Sequence, residues 1–279
     1  HLRVIRHVGN FKSELYDLSI LVKDLKKPEE MEDKELANFF DWFFEIGYSE
    51  IVFADRAIFY EGDTERLFIR KAMTLEEYKK LKQQYVAFIQ VGGAYAKNYE
   101  KLIRLLGIKS LIITDIDYGK SEIVIEDIKK SKTTNATIEY FYSINNSTDT
   151  PTVEHLYSWK ETRKNIIEDL IYVCFQTKDD GYARTLEEAM INKYFDMDVS
   201  KCYKKSDWKE KRKDSELKFS IPRMKNEKEI ADDDMVSVRD ILAATSGNKT
   251  DFMCSVIMKD YVKKMLPDYI ERGLEWLMK

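Results

Sequence analysis

Glycine and proline are scarce in this chain, 10 and 4 of 279 residues, less than half of the roughly 12% of average usage. That excludes collagen-like, linker-like and low-complexity classes. With 44% hydrophobic and 13% aromatic residues, the chain can bury a sizeable core instead of staying disordered. Cysteine is equally thin: Cys174, Cys202 and Cys254 lie far apart with no Cys-x-x-Cys spacing. Neither a zinc cluster nor a disulfide framework is available, and a reducing cytoplasm is the expected setting. Three histidines, His1, His7 and His155, leave little for imidazole chemistry, so any metal chemistry falls to carboxylates, which select hard cations such as Mg²⁺ or Mn²⁺. No apolar run approaches about 18 residues and no signal peptide opens the chain, so no membrane span is expected. A start at His1 instead of Met reads as a piece of something longer. The charge balance, 46 Lys+Arg against 50 Asp+Glu for a net −4, argues against a generic basic nucleic-acid coat.

What is present falls into segments. Residues 10–50 carry apolar groups at helical spacing, first in FKSELYDLSILVKDL and then in the aromatic-rich ELANFFDWFFEIGYS, and predict an N-terminal helical segment. From residue 51 the rhythm changes. A buried strand over Ala57–Tyr60 meets a Glu-Gly turn, and a helix begins near Asp63. The strand YVAFIQVGG, the helix AKNYEKLIRLLG and the all-apolar strand SLIITDID follow, with ATIEYFYSI as a further strand. Strand and helix alternating in this way predict an α/β fold, a parallel sheet covered by helices on both faces. Residues 151–195 read as helix again, around the polar loop TKDDGYA, and the chain closes on a helix, a Gly-containing turn and more helices. Between them lies the most basic stretch, Lys201–Lys228, with 11 Lys/Arg against 5 Asp/Glu. Tyr203, Trp208 and Phe219 are interleaved there, so it is a candidate surface for a DNA backbone. A solvated charged helix is the equal alternative.

The acids are placed more tellingly than they are counted. Glu61 directly follows the apolar IFY strand, and Asp115 and Asp117 directly follow the apolar LIIT strand. Open parallel sheets bind ligands off the carboxyl ends of their strands, so neighbouring strands bring these three acids to one crevice. Glu65, one helical turn beyond Glu61, leans into the same space. Four carboxylates together repel and raise one another's pKa unless a cation neutralises them, and oxygen-ligated divalent metals do so. The plainer alternative has Glu65 favouring a helix N-terminus and the two aspartates ending a strand.

These residues carry a resemblance. IFYEGDTERLFI resembles the first motif of the topoisomerase-primase (Toprim) fold, and LIITDIDYGK resembles its Asp-x-Asp motif. The intervening VAFIQVGGAYAKNYEKLIRLLGI and the preceding SEIVFAD are similar to nucleases of the overcoming lysogenization defect (OLD) family, among them the nuclease subunit of Gabija phage-defence systems. ARTLEEAMI resembles that family's Ser-x-Glu element, with Thr185 in place of Ser and Glu187 as the acid. SGNKTDFMCSVI resembles its late Lys-Ser/Thr-Asp-Phe element, with Lys249 at the catalytic lysine.

The resemblance implies a Toprim nuclease domain over 51–279, with 1–50 as linker or tail of an ATPase domain, because no GxxxxGK[ST] phosphate loop occurs in this chain. It implies a two-metal endonuclease acting on duplex DNA with Mg²⁺ or Mn²⁺. Glu61, Glu65, Asp115 and Asp117 would hold one ion, Glu187 with Thr185 a second, and Glu61 and Lys249 carry the catalytic roles, Lys249 by approaching the scissile phosphate. It also implies antiviral defence, a homo-oligomer and a helicase-like partner. The competing readings are a primase or topoisomerase activity, for which Tyr118 is the nucleophile candidate, and a non-catalytic assembly module. His155 is read as structural.

Overall fold

A computed structural model describes residues 3–9, 11–17, 38, 42–43, 45, 48–92, 95–119, 124–144, 146, 149–214, 235–245 and 249–279. The chain opens on an antiparallel hairpin of β1 (Arg3–Gly9) and β2 (Lys12–Asp17), with Phe11 in the left-handed region at its turn. The helix expected from residue 10 is therefore a strand over 12–17. Residues 18–37, with the remainder of that expected helix, lie outside the described residues. Farther on, Phe43 is fully buried and stacks on Tyr48 at 5.2 Å, so part of the expected aromatic stripe is core.

The body is a five-stranded sheet. In chain order, β3 (Arg56–Tyr60) leads into α1 (Asp63–Ala72), β4 (Val86–Gln90) into α2 (Glu100–Leu106), and β5 (Lys109–Ile113) into α3 (Ala136–Ser143) and α4 (Val153–Glu161). A short β6 (Ile166–Ile167) then turns back into β7 (Ile171–Cys174), followed by α5 (Leu186–Phe195). The spatial order is β4-β3-β5-β7-β6, parallel throughout except for β6 at one edge. A ribbon of β8 (Cys202–Lys204) and β9 (Met235–Ser237) brackets α6 (Lys205–Asp214). The closing helices are α7 (Val238–Thr245), α8 (Lys249–Met258) and α9 (Asp268–Leu277), as the sequence predicts.

The two-residue period of a strand sorts the core into two layers. Ile58, Tyr60, Leu111, Ile113, Tyr172 and Cys174 face one side, against α1, α5, α8 and α9. Ala57, Phe59, Ile112, Val173 and Phe175 face the other, against α2, α3 and α4. A sheet covered on both faces needs strands that are apolar throughout, which is why the runs IFY, LII and IYVC are uninterrupted. Helix α1 buries Phe68, Ile69 and Ala72, and it places Asp63 and Glu65 in its first turn and Arg70 and Lys71 in its last, in accord with the helix dipole. On α2, Gly107 adopts φ 54° and stops the helix where any side chain would be strained.

Helix α9 reaches the sheet at Gly273. A Cβ there would stand 3.0 Å from Cys174 Sγ and 3.1 Å from a Leu111 methyl, both fully buried. Gly273→Val is expected to lower the unfolding free energy by about 3 kcal/mol, the upper range for overpacking, read as a lower urea midpoint at unchanged slope.

Two other expectations are corrected. ATIEYFYS is helix, not strand: Asn135 caps it, accepting from the N–H groups of Thr137 and Ile138 at 3.0 and 3.2 Å, and Thr137, Ile138 and Phe141 form one buried face. The long helix expected after residue 151 stops at Glu161. Arg163, Glu168 and Asp169 take positive φ, and the remainder becomes β6 and β7. The basic stretch also divides. Trp208 is a core residue, edge-on to Phe195 at 4.9 Å, and Lys205 is buried. Lys211 lies over the Tyr203 ring at 4.4 Å. Phe219 and residues 215–234 fall outside the described residues.

Candidate active site

The parallel register aligns Phe59 with Ile112 and Ile113 with Cys174, so β3, β5 and β7 end at one edge of the sheet. Glu61, Asp115 and Gln176 each emerge just beyond a strand there. Oε1 of Glu61 accepts from the Thr114 hydroxyl, from the Asp115 N–H at 3.3 Å and from Asn135 Nδ2 at 3.4 Å. Asn135 Nδ2 also donates to Thr114 Oγ1 at 2.6 Å and to the Asp115 carbonyl at 2.9 Å. The Asp115–Asp117 loop is strapped by Thr133, whose hydroxyl donates to the Ile116 carbonyl at 2.6 Å, and by Thr134, whose N–H donates to the Asp117 carbonyl at 3.0 Å. Asp117 itself sits at φ 48°, a conformation that Asp tolerates better than most residues.

Glu65 enters from the first turn of α1, where Gly62 keeps space open: a Cβ at that position would stand 3.1 Å from Glu65 Oε2. Thr185 caps α5, accepting from the Glu188 N–H at 3.4 Å, and so places Glu187 in the first turn. Glu187 is 1% exposed, and its Oε2 takes an ion pair from Lys249 Nζ at 3.1 Å across 62 positions of sequence. Lys249 opens α8, which packs on α1.

These groups feel one another. Burial raises the Asp115 carboxyl well above its ordinary value, and Glu61, Glu65, Glu187 and Asp117 push it further. Burial also raises Glu61, over the opposing hydrogen bond from Thr114, and raises Glu65, with Glu187 and Glu61 adding to it. For Lys249, burial acts downward, but the pair with Glu187 and the fields of Asp115 and Glu65 prevail, and its pKa rises. The structure thus brings Glu61, Glu65, Asp115, Asp117, Glu187 and Lys249 to one crevice, with Thr185 at its margin.

Among the described residues, no group of three or more carboxylate, imidazole or thiol groups stands ready around a single cation position. In kind, however, the donors fit a hard cation. They are all oxygens, and among the described residues Oε1 of Glu187 is buried without a hydrogen-bond partner.

Tyr118 does not suit a nucleophile. It is 1% exposed, its hydroxyl donates to the Tyr182 carbonyl and accepts from Arg239 Nη2 at 3.2 Å, and burial drives its pKa up. His155 is exposed on α4. Thr114, Asn135 and Gln176 escaped the sequence reading. Gln176 had a signal, since it follows the apolar IYVCF run as Glu61 and Asp115 follow theirs. Asn135, ahead of a helix, carried the ordinary N-cap signal.

A parallel sheet with acids gathered off the ends of neighbouring strands, Glu-Gly on one and Asp-x-Asp on the next, is the arrangement of a Toprim domain. Residues 52–117 match the family model described as overcoming lysogenization defect protein-like, TOPRIM domain, and the chain resembles the OLD-family Toprim domains that this model describes. It is related to the endonuclease GajA of Bacillus cereus (strain HuB5-5), with 27% identity over 288 residues. That match covers 98% of this chain but only 38% of the relative's length. The chain is also similar to the C-terminal region of the Xanthomonas campestris pv. campestris OLD protein, at TM-score 0.41, 15% identity and coverage of 82% and 95% of the two chains. The C-terminal region of the Burkholderia pseudomallei OLD protein gives TM-score 0.44, 15% identity and coverage of 80% and 96%.

Proposed function

We propose that this chain is the nuclease portion of a longer ATPase–Toprim protein and hydrolyses phosphodiester bonds of duplex DNA with Mg²⁺ or Mn²⁺. The observation that carries the reading is the Lys249–Glu187 pair, which draws a cation from α8 into a crevice of acids that raise one another's pKa. Glu61, Glu65, Asp115 and Asp117 would hold one ion, and Glu187 with Thr185 a second. Divalent cations bound there would supply Lewis-acid charge and activation of water. The chain's own contribution is placement. Thr114 and Asn135 orient Glu61, Gln176 orients Asp115, and the Lys249 ammonium stands where it can meet a phosphate and offset charge that grows during cleavage. On this reading residues 1–50 are the linker or tail of the ATPase domain and 51–279 the nuclease domain. The protein works in the cytoplasm in antiviral defence, as a homo-oligomer with a helicase-like partner. Among the described residues no helix is long and apolar enough to cross a membrane.

Plasmid cleavage with Mg²⁺ or Mn²⁺ tests the reading. Wild type is expected to nick or linearise the plasmid, and Glu61→Ala and Lys249→Ala to lose that activity. Equal cutting by all three proteins would sink the site assignment.

A further inference from the structure

The two oxygens of Asp115 are not equivalent. Oδ1 accepts from Gln176 Nε2 at 2.7 Å, whereas among the described residues Oδ2 takes no hydrogen bond. Gln176 is fully buried and cannot turn its amide over. Its other end meets the Ile116 N–H at 2.9 Å, where only an acceptor fits, so Oε1 lies there and the NH₂ faces Asp115. The second amide hydrogen is directed at the Tyr269 hydroxyl, 3.2 Å away. Glu61 is divided in the same manner: Oε1 carries the donors from Thr114, Asp115 and Asn135, and Oε2 carries none among the described residues. The two acids that close neighbouring strands therefore each keep one oxygen for the protein and one for the crevice.

Cations differ in what they ask of a carboxylate. Ca²⁺ takes 6–8 oxygens at 2.3–2.6 Å and commonly uses both oxygens of one acid, whereas Mg²⁺ wants about six, near 2.0–2.1 Å, in octahedral array. We propose that Gln176 is a positioning residue that sets the cation preference of the site: by holding Oδ1, it makes Asp115 a one-oxygen ligand and favours Mg²⁺ and Mn²⁺ over Ca²⁺. This rests on the metal-dependent nuclease reading. The amide is suited to the task because it lies two residues past the end of β7, the strand beside β5, fully buried and against Tyr269 of α9.

The test is cation binding to the full chain without DNA, followed by the electron paramagnetic resonance signal of free Mn²⁺, with Mg²⁺ and Ca²⁺ as competitors. Wild type is expected to bind Mn²⁺ and to release it to Mg²⁺ more readily than to Ca²⁺. Gln176→Met keeps the side-chain length but donates nothing, and its preference for Mn²⁺ over Ca²⁺ should fall about tenfold through a gain in Ca²⁺ affinity. An unchanged preference, or an equal loss for all three cations, overturns the proposal. A second measurement needs no variant: the infrared carboxylate bands that Mn²⁺ shifts in wild type should show the wide splitting of one-oxygen ligation, and the narrow splitting of chelation overturns it too. Absence of Mn²⁺ binding to wild type would instead sink the nuclease reading on which the proposal stands.

Discussion

Lys249→Met is expected to cut plasmid DNA about 10²–10³-fold more slowly than wild type, the usual loss when one preorganised transition-state donor is removed, and yet to bind Mn²⁺ more tightly. The second half follows from the ion pair. The ammonium lies 3.1 Å from an acid that is 1% exposed, so it serves as counter-ion for the crevice. A divalent cation seeking Glu187 must first draw that oxygen away from the ammonium, against a charge-assisted bond worth on the order of 1.5–3 kcal/mol. Methionine keeps the length of the side chain and removes the competitor, so Mn²⁺ affinity should rise about tenfold, some 1.4 kcal/mol. Calorimetric titration of Mn²⁺ into the two proteins measures it. A variant that cuts poorly and also binds Mn²⁺ less well would mean that Lys249 merely props α8 against α5.

Stability should respond to pH in an unusual direction when chelator is present. Glu61, Glu65 and Asp115 are all raised in the folded state, chiefly by burial, so the native protein holds their protons more firmly than the unfolded chain does. Where the native state binds more protons, stability falls as pH rises. The loss should begin at about pH 4, where the acids of the unfolded chain ionise, and continue through the raised values of the folded state. Thermal unfolding in EDTA should accordingly give a midpoint that declines from about pH 4 upward. Mn²⁺ binds the ionised acids and should oppose the decline: at 100 times its dissociation constant it contributes about 2.7 kcal/mol, roughly 5–10 °C for a chain of this size. A midpoint indifferent to both pH and Mn²⁺ would show that these acids are neither strained nor a cation site.

The parts of the fold that were legible are those in which periodicity and burial agree. Residues 57–60, 86–89 and 111–113 are apolar on consecutive positions because both faces of the sheet are covered, and an acid just after such a run, as at Glu61 and Asp115, announces a strand end. The misread segments are those in which neighbours decide. Thr137, Ile138, Tyr140, Phe141 and Tyr142 have strand propensity, but a helix lets Ile138 and Phe141 enter the layer under β5 while Asn135 satisfies the freed N–H groups. In 12–17, the same apolar spacing that suits one helical turn also suits a hairpin, and cross-strand pairing such as Ile5 with Leu15 decides the outcome. In the candidate site, ionised groups stood out because acids after apolar runs are unusual. Asn135 and Gln176 did not, because a neutral amide gains its role only from the atoms folded around it.

The crevice draws on positions 61, 115, 176, 187 and 249, so it is spread over most of the order in which the chain is synthesised. Chains emerge and fold from the N-terminal side first. A nascent chain that has completed β3, β4, β5, β7 and α5 already owns the acids and the amide that orients Asp115, but not the ammonium that opens α8. On the nuclease reading, a product released early from the ribosome is charged and unarmed, and cutting power arrives only in chains that have passed residue 249.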